Sequence, residues 1–462
     1  MQRLSSIESP LLTTNTPSPV SPVRTPLREW LALLAFALVV RGGILLTQSD
    51  NLAADPDGYR ALANALQSSG QFARSDDAGP AFLTAYRPPL YPLLLAAVGG
   101  HQETLLWPIV VLHLLLGVAT VLGAFALARR LGLAHAAWVA AMLVLLDPLL
   151  LNQSCLVMTE TLAALLTLAA VSALVAWSAK PTWHKAAMVG ALIGLCILCR
   201  PTYLVWLALV ITVVLVRWRR AGSLSSYPPR WQAAVITLAA LLMLSPWMIR
   251  NARVLGTPTP TTTHGGYTLL LGNNPYFYRF VQERWWFEAW PADEFHFRWF
   301  VRRAEETPPG SESYRVESTA QELADDASAY RWAIQSMREQ PAAAMLSVAY
   351  RWWQLVSPLP NRLTSQESRG QLLARWAVAV WYVAVYALVA LGVRRWGSGG
   401  ERVLIGWSLT LLIAFLLVHA FYWTNLRMRA PLMPLVCLIA AGGAQQIRSR
   451  LHARLPDHAE VG

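Results

Sequence analysis

Apolar runs that approach or exceed the length needed to cross a lipid bilayer recur along almost the whole chain, and they constrain the fold more than any single motif does. A hydrocarbon core of about 30 Å takes roughly 20 residues of helix to cross. Backbone groups inside lipid must bond within their own segment, so these runs are expected to be helices. Spans are expected near residues 30–46, 105–127, 136–151, 162–177, 186–198, 203–216, 233–248, 376–391, 403–420 and 432–444, the fifth and sixth being short. The composition agrees: of 462 residues, 55% are hydrophobic and only 14% charged, a balance that no ordinary soluble domain needs. The expected fold class is an all-α polytopic membrane protein of about ten transmembrane helices with a small extracytoplasmic mixed domain.

A net charge of +12 raises the question of a nucleic-acid partner, and the placement of the cations argues against one. Arg24 and Arg28, Arg129 and Arg130, Lys180 and Lys185, Arg217, Arg219 and Arg220, Arg394 and Arg395, and the arginines of 448–454 fall in small groups at alternate helix ends. By the positive-inside rule that side is cytoplasmic, with both termini on it. The expected organisation is a disordered cytoplasmic tail (1–26), an N-terminal transmembrane module (27–248) whose first extracytoplasmic loop is 47–104, an extracytoplasmic domain with an interfacial helix (249–371), C-terminal transmembrane helices (372–446) and a cytoplasmic tail (447–462). Localisation in the plasma (inner) membrane follows, with the chemistry on the extracytoplasmic face. Cys155, Cys196, Cys199 and Cys437 lie in or beside spans, so neither a disulfide framework nor a structural zinc site is expected.

The outer segments concentrate the polar residues. In "NLAADPDGYRALANAL", Tyr59, Leu62, Ala63 and Leu66 share one helical face, so a helix begins near Gly58. Asp57 then sits where an N-cap belongs. Pro56 separates it from Asp55, whose carboxylate is left free for other work. "AYRPPLYPLLL" places Arg87 before two prolines that bar a helix and force an extended entry into an apolar segment too short to span. Glu160, in "MTETL", stands at the mouth of the fourth span, where a helix N-terminus welcomes a carboxylate. Arg200 precedes Pro201, Arg250 and Asn251 close the seventh span, Asn273 and Asn274 follow "LLLG", and Arg427 and Arg429 lie in "NLRMRAP". The segment 249–371 opens with Gly, Pro, Thr and Asn in a pattern of loops and short strands. It ends in "MLSVAYRWWQLV", where Arg and Trp at helical spacing suit a helix lying in the membrane surface.

Single arginines at helix ends commonly snorkel to headgroups. Several on the outer side, against the positive-inside bias, point further. The planar fork of arginine bonds two phosphate oxygens at once, and a neighbouring carboxylate suits deprotonation of a hydroxyl. Together they imply group transfer from a lipid phosphate. A transporter or flippase of a lipid-linked sugar is the alternative. It would use the same arginines without a base, and it would usually show inverted repeats or broken helices, neither of which the sequence displays.

In order along the chain, the Asp55–Tyr59 spacing, "RPPLYP", "MTETL", "CRPTYLVW", "PWMIRNARVLGTPTPTTTHGGYTLLLGNNP" and "NLRMRAPLMPL" resemble the GT-C superfamily of integral-membrane glycosyltransferases. The branch they resemble is that of protein mannosyltransferases and bacterial aminoarabinose transferases, glycosyltransferase family 39 and its relatives. The resemblance implies a polyprenyl-phosphate-linked sugar donor and an acceptor that is a lipid, a glycan or a protein, with inversion at the anomeric carbon. It maps the first-loop catalytic aspartate onto Asp55, with Asp57 as neighbour. Tyr59, Arg87, Glu160, Arg200, Arg250, Asn273, Asn274, Arg427 and Arg429 are then the candidate donor-binding set. The family often has adjacent acids in this loop, whereas here Pro56 stands between them. Some relatives bind a divalent metal near this site and others need none. Glu160 and His264 are the pair that would serve here, and no other cofactor is implied.

Overall fold

The structure is a computed structural model that describes residues 26–74, 81–102, 105–133, 136–221, 230–284, 286–306, 318–362, 366–394 and 399–454. The expected tail at 1–26 and the end of the C-terminal tail therefore lie almost wholly outside the described residues. The chain begins with α1 (Leu27–Thr47), followed by α2 (Tyr59–Ser69), the short strands β1 (Ala73–Arg74) and β2 (Phe82–Leu83), and α3 (Leu90–Val98). Seven helices complete the first half: α4 (Trp107–Arg130), α5 (Ala137–Leu146), α6 (Pro148–Ser154), α7 (Glu160–Ala179), α8 (Trp183–Cys199), α9 (Tyr203–Ala221) and α10 (Trp231–Leu255). The intervening segment carries α11 (Gly265–Gly272), α12 (Pro275–Glu283), α13 (Asp293–Glu306), α14 (Thr319–Glu339) and α15 (Pro341–Val356). The chain closes with α16 (Arg369–Arg394), α17 (Gly399–His419), a 3-10 helix at Leu426–Leu432 and α18 (Met433–Arg454).

Nine of the ten expected spans each fall on one of these helices and the third, 136–151, falls across α5 and α6, but the count of ten is not established. Seven helices are long and apolar enough to cross a membrane, or eight if the bent pair α5–α6 is one span. Helix α8 has only 17 residues, and α9 ends in Arg217, Arg219 and Arg220. The pair α5–α6 bends by 51° at Asp147 and Pro148. Pro148 has no N–H to continue a helix, and the Asp147 carboxylate instead accepts from the Leu150 N–H at 2.9 Å. A broken helix, not expected from the sequence, is therefore present.

Glycine sets the closest helix contacts. A Cβ on Gly190 of α8 would collide with the Ile236 carbonyl oxygen of α10, and one on Gly443 of α18 with the Leu388 carbonyl of α16. Small residues allow this approach, which gives packing in lipid its dispersion energy.

The first loop, the segment between α10 and α16, and the 3-10 helix pack together at one end of the bundle. The strands β1 and β2 pair antiparallel, Ala73 opposite Leu83, as the two arms of a hairpin whose tip lies outside the described residues. Buried Glu322 of α14 accepts from Thr84 Oγ1, from the Ala85 N–H and from Thr263 Oγ1. This clamps the loop to the segment. Of the stretch expected to hold loops and short strands, 256–264 is loop, whereas 265–272 and 275–283 form helices α11 and α12, with one isolated bridge, Glu288 to Arg362, further on. Arg351 of α15 does not reach a headgroup. It is buried and donates to the Gly272 and Ala420 carbonyls, tying α15 to α11 and to the end of α17. Helix α18 runs to Arg454, beyond the expected boundary at 446.

Candidate active site

Gly58 has φ of +72°, a left-handed conformation that costs a residue with a Cβ about 1–2 kcal/mol. This turn decides which aspartate faces where. Asp55 Oδ1 accepts from the Tyr59 N–H at 2.8 Å, and its Oδ2 from the N–H groups of Arg60 (2.9 Å) and Ala61 (3.0 Å). The carboxylate that caps α2 is thus Asp55, not Asp57. Burial pushes the Asp55 carboxyl up while those three donors pull it down.

Asp57 turns the other way, into a cavity of about 470 Å³. Its Oδ1 meets Arg87 Nη2 at 3.0 Å and its Oδ2 meets Arg427 Nη1 at 3.3 Å. Arg87 Nε also donates to the Asp57 carbonyl at 2.9 Å, so the Nε–Nη2 edge of the guanidinium grips one residue. Pro89, with helical dihedrals, is the N-cap of α3, and the chain bends at Tyr86 and Arg87 rather than entering extended as expected. Tyr86 and Tyr59 flank the guanidinium, with ring centroids 4.5 and 5.7 Å from its carbon.

Glu160 opens α7 on the same wall. Its side chain is buried, with Oε1 3.2 Å from Arg200 Nη1 and 3.8 Å from Arg427 Nε. Arg200 stands at the end of α8, where Pro201 stops the helix. Arg427 therefore bridges the two acids. Three guanidiniums against two carboxylates leave a net charge of +1 on this wall, which suits an anion.

His264, Tyr267, His419 and Tyr422 complete the lining. Burial, then Arg87 and Arg74, push the His264 imidazole well below its usual range, so it is neutral at pH 7. The donor set does not fit a divalent cation. Of the expected pair, Glu160 is already held by two arginines and His264 stands in the field of two more. Among the described residues, no group of three or more His, Cys, Asp or Glu side chains could hold a metal.

The other expected residues are not gathered here. Arg250 donates to the Thr84 carbonyl (2.7 Å) and the Phe72 carbonyl (2.8 Å), anchoring the hairpin. Asn273 donates to the Leu269 and Phe421 carbonyls. Asn274 caps α12 by accepting from the Phe277 N–H at 2.8 Å. Arg429 is buried in the wall of a second cavity, of about 630 Å³. The sequence reading missed Tyr86 and Tyr267, although "YRPP" and "HGGY" adjoin motifs it singled out. It also missed Glu322, which no local pattern marks.

This architecture defines a class, a polytopic helical membrane protein whose fold is similar to that of solved oligosaccharyltransferases. Within that class, residues 86–249 match the family model of dolichyl-phosphate-mannose-protein mannosyltransferases. The archaeal oligosaccharyltransferase AglB from Archaeoglobus fulgidus, solved with an inhibitory peptide and a dolichol-phosphate, is 15% identical with a TM-score of 0.52. The match covers 92% of this chain and 51% of AglB. The Archaeoglobus fulgidus oligosaccharyltransferase tethered to an acceptor peptide gives 14% identity and a TM-score of 0.53, covering 92% of this chain and 50% of that one. ArnT from Cupriavidus metallidurans bound to undecaprenyl phosphate gives 15% identity and a TM-score of 0.41, covering 93% and 81%. This chain thus spans about half the length of the oligosaccharyltransferases. No protein of curated function matches the sequence.

Proposed function

We propose that this protein is a membrane-embedded glycosyltransferase that moves a hexosyl or pentosyl group from a polyprenyl-phosphate-linked donor to an acceptor on the extracytoplasmic face of the plasma membrane. The observation that carries the reading is the cavity that brings Asp57 and Glu160 against Arg87, Arg200 and Arg427 from widely separated segments. Both termini are then cytoplasmic, as the arginine distribution supports.

In the reaction, the acceptor hydroxyl attacks the anomeric carbon and gives its proton to a carboxylate. The bond from that carbon to the phosphate oxygen breaks, and the polyprenyl phosphate leaves with the electron pair. Arg87, Arg200 and Arg427 face the growing negative charge, and such stabilisation is usually the larger part of catalysis. The base is Asp57 rather than Asp55, because Asp55 would have to surrender three backbone hydrogen bonds to reach the cavity. Arg87 and Arg427 hold the Asp57 carboxylate. Donor phosphate oxygens compete for the same N–H groups, and their arrival frees the carboxylate to take a proton. Glu160 keeps Arg200 and Arg427 in place, and Tyr59 walls the cavity beside Arg87.

The test is to supply purified protein in lipid nanodiscs with polyprenyl-phosphate-linked radiolabelled sugar and an extract of envelope acceptors. Label should pass to an acceptor with inverted anomeric configuration, and free polyprenyl phosphate should appear. Movement of the labelled donor across proteoliposome membranes without transfer would establish a flippase instead.

A further inference from the structure

We propose that the wall of the first cavity beyond Arg87 is the subsite for the transferred sugar, and that it takes a neutral, polyhydroxylated sugar rather than an amino sugar. The inference rests on the transferase reading above and adds to it the class of donor. Arg87 is the first member of a stack along this wall. Its guanidinium carbon lies 4.5 Å from the centre of the Tyr86 ring, the Tyr86 ring 4.2 Å from that of His264, and the His264 ring 5.0 Å from that of Tyr267. The last two rings are nearly parallel, at 26°. All four residues line the cavity.

The local chain explains the stack. His264 is the N-cap of α11 and Tyr267 follows three residues later, a spacing that brings two side chains onto one helical face. Tyr86 comes from the first loop, where the Ala85 carbonyl accepts from the Thr263 N–H at 3.0 Å and so holds Tyr86 beside His264. Helix α14 packs against the start of α11 closely enough that a Cβ on Gly265 would meet the Tyr330 hydroxyl, and one on Gly266 the Asp326 carbonyl oxygen. The stack is therefore backed by a packed helix and fixed before any ligand arrives.

Two properties of this wall describe what it takes. The face of an aromatic ring is electron-rich and attracts the polarised C–H groups of a sugar ring. The polar groups on offer are neutral: the hydroxyls of Tyr59, Tyr86 and Thr262 and the imidazole of His264 belong to lining residues, are engaged by no hydrogen bond among the described residues, and are not among the atoms shut off from water. They can both donate to and accept from sugar hydroxyls.

A charged sugar fits less well. Among the described residues, the acids that line the cavity are Asp57 and Glu160, and each already faces two arginines. An ammonium group on a sugar held against Tyr86 and His264 would lie beside the Arg87 guanidinium, and like charges brought together cost affinity. The donor's own phosphate accompanies a neutral and an amino sugar alike, so the discrimination comes from the wall.

Competition against a fluorescent polyprenyl phosphate, with the full-length protein in nanodiscs, tests this with three probes: undecaprenyl phosphate, its glucosyl ester and its glucosaminyl ester, the last kept below the pKa of its amine. The glucosyl ester should bind more tightly than the bare phosphate, and the glucosaminyl ester about tenfold or more weaker than the glucosyl ester. His264→Glu, which sets a carboxylate in the stack, should cancel or reverse that discrimination. Tyr267→Leu should remove the advantage of the glucosyl ester over bare phosphate, and decides the matter if His264→Glu does not fold. Equal affinity for the two esters, unmoved by either substitution, would overturn the proposal, as would tighter binding of the glucosaminyl ester. Preference for the glucosyl ester without sugar transfer to any acceptor would uphold the subsite and refute the transferase. Transfer from the glucosaminyl ester as fast as from the glucosyl ester would do the reverse.

Discussion

Two asparagine substitutions two residues apart should separate the roles of the first-loop acids. Asn at position 57 cannot accept a proton, so Asp57→Asn should lose the general-base contribution, roughly 10² to 10⁴ in kcat. Its KM for donor should hold or fall, because a neutral amide competes less well than a carboxylate for Arg87 and Arg427, now 3.0 and 3.3 Å away. Asp55→Asn is a different injury. The amide keeps one oxygen where the carboxylate used two, so it must give up either the Tyr59 bond or the pair to Arg60 and Ala61. Loss of such a cap costs about 0.5–2 kcal/mol. The signature is a lower melting temperature with transfer reduced only severalfold. The assay is release of polyprenyl phosphate from labelled donor, with thermal unfolding and membrane insertion measured on the same preparations. A dead Asp55→Asn that melts normally, beside an active Asp57→Asn, would refute the assignment and make the capping aspartate the base. Full activity in both would remove the first loop from catalysis altogether.

Three further outcomes are expected. Arg87→Lys keeps the charge but not the fork that grips Asp57 through Nε and Nη2, so steady-state kinetics should show markedly weaker donor use. Gly190→Ala should lower stability by about 1–3 kcal/mol in a detergent melting assay, because its methyl group meets the Ile236 carbonyl. Gly42→Ala, with nothing within 4 Å of the new carbon, is the control expected to melt normally. Asp326 accepts from the Gly266 N–H at 2.6 Å, and burial pushes its carboxyl up to about 6. A raised acid favours the fold when protonated. The Asp326 contribution to stability should therefore be greatest below about pH 4 and fall as pH rises to about 6, by about 1–2 kcal/mol after allowance for the group's partial exposure. Asp326→Asn should flatten that slope in melting curves taken across this range.

The spans were legible because an apolar run of sufficient length has few other places to go, and every expected run but the third, which crosses the bent pair α5–α6, lies on a single helix. The bend at Asp147 was legible in principle too, since Asp-Pro inside an apolar run carries both a cap and a missing donor. Apolarity concealed it. The site was legible as a set of motifs and not as an arrangement. Asp57, Arg87, Glu160, Arg200 and Arg427 do meet, but which aspartate faces the cavity depends on the handedness of Gly58, which residue type permits without dictating. Arg250, Asn273 and Asn274 have the chemistry of a site and spend it on backbone carbonyls and a helix N-terminus. Glu322 and Arg351 show the opposite failure. Their partners lie at Thr84 and Thr263, and at Gly272 and Ala420, and no local pattern announces a contact across such separations.

The ion pair between Asp57 and Arg427 joins residues 370 positions apart. A ribosome adding about 5–20 residues per second needs roughly 20–75 s to travel between them. For that interval Asp57 has been made and one of its two arginines has not, and Glu160 likewise waits for Arg427. The nascent protein consequently has no finished cavity until the last stretch before α18 has emerged. A chain cut short before residue 427 would retain most of its membrane helices and lack the cation that both acids share. On the function proposed above, products truncated before residue 427 would lack the arginine shared by Asp57 and Glu160 and would be inert toward a lipid-linked donor.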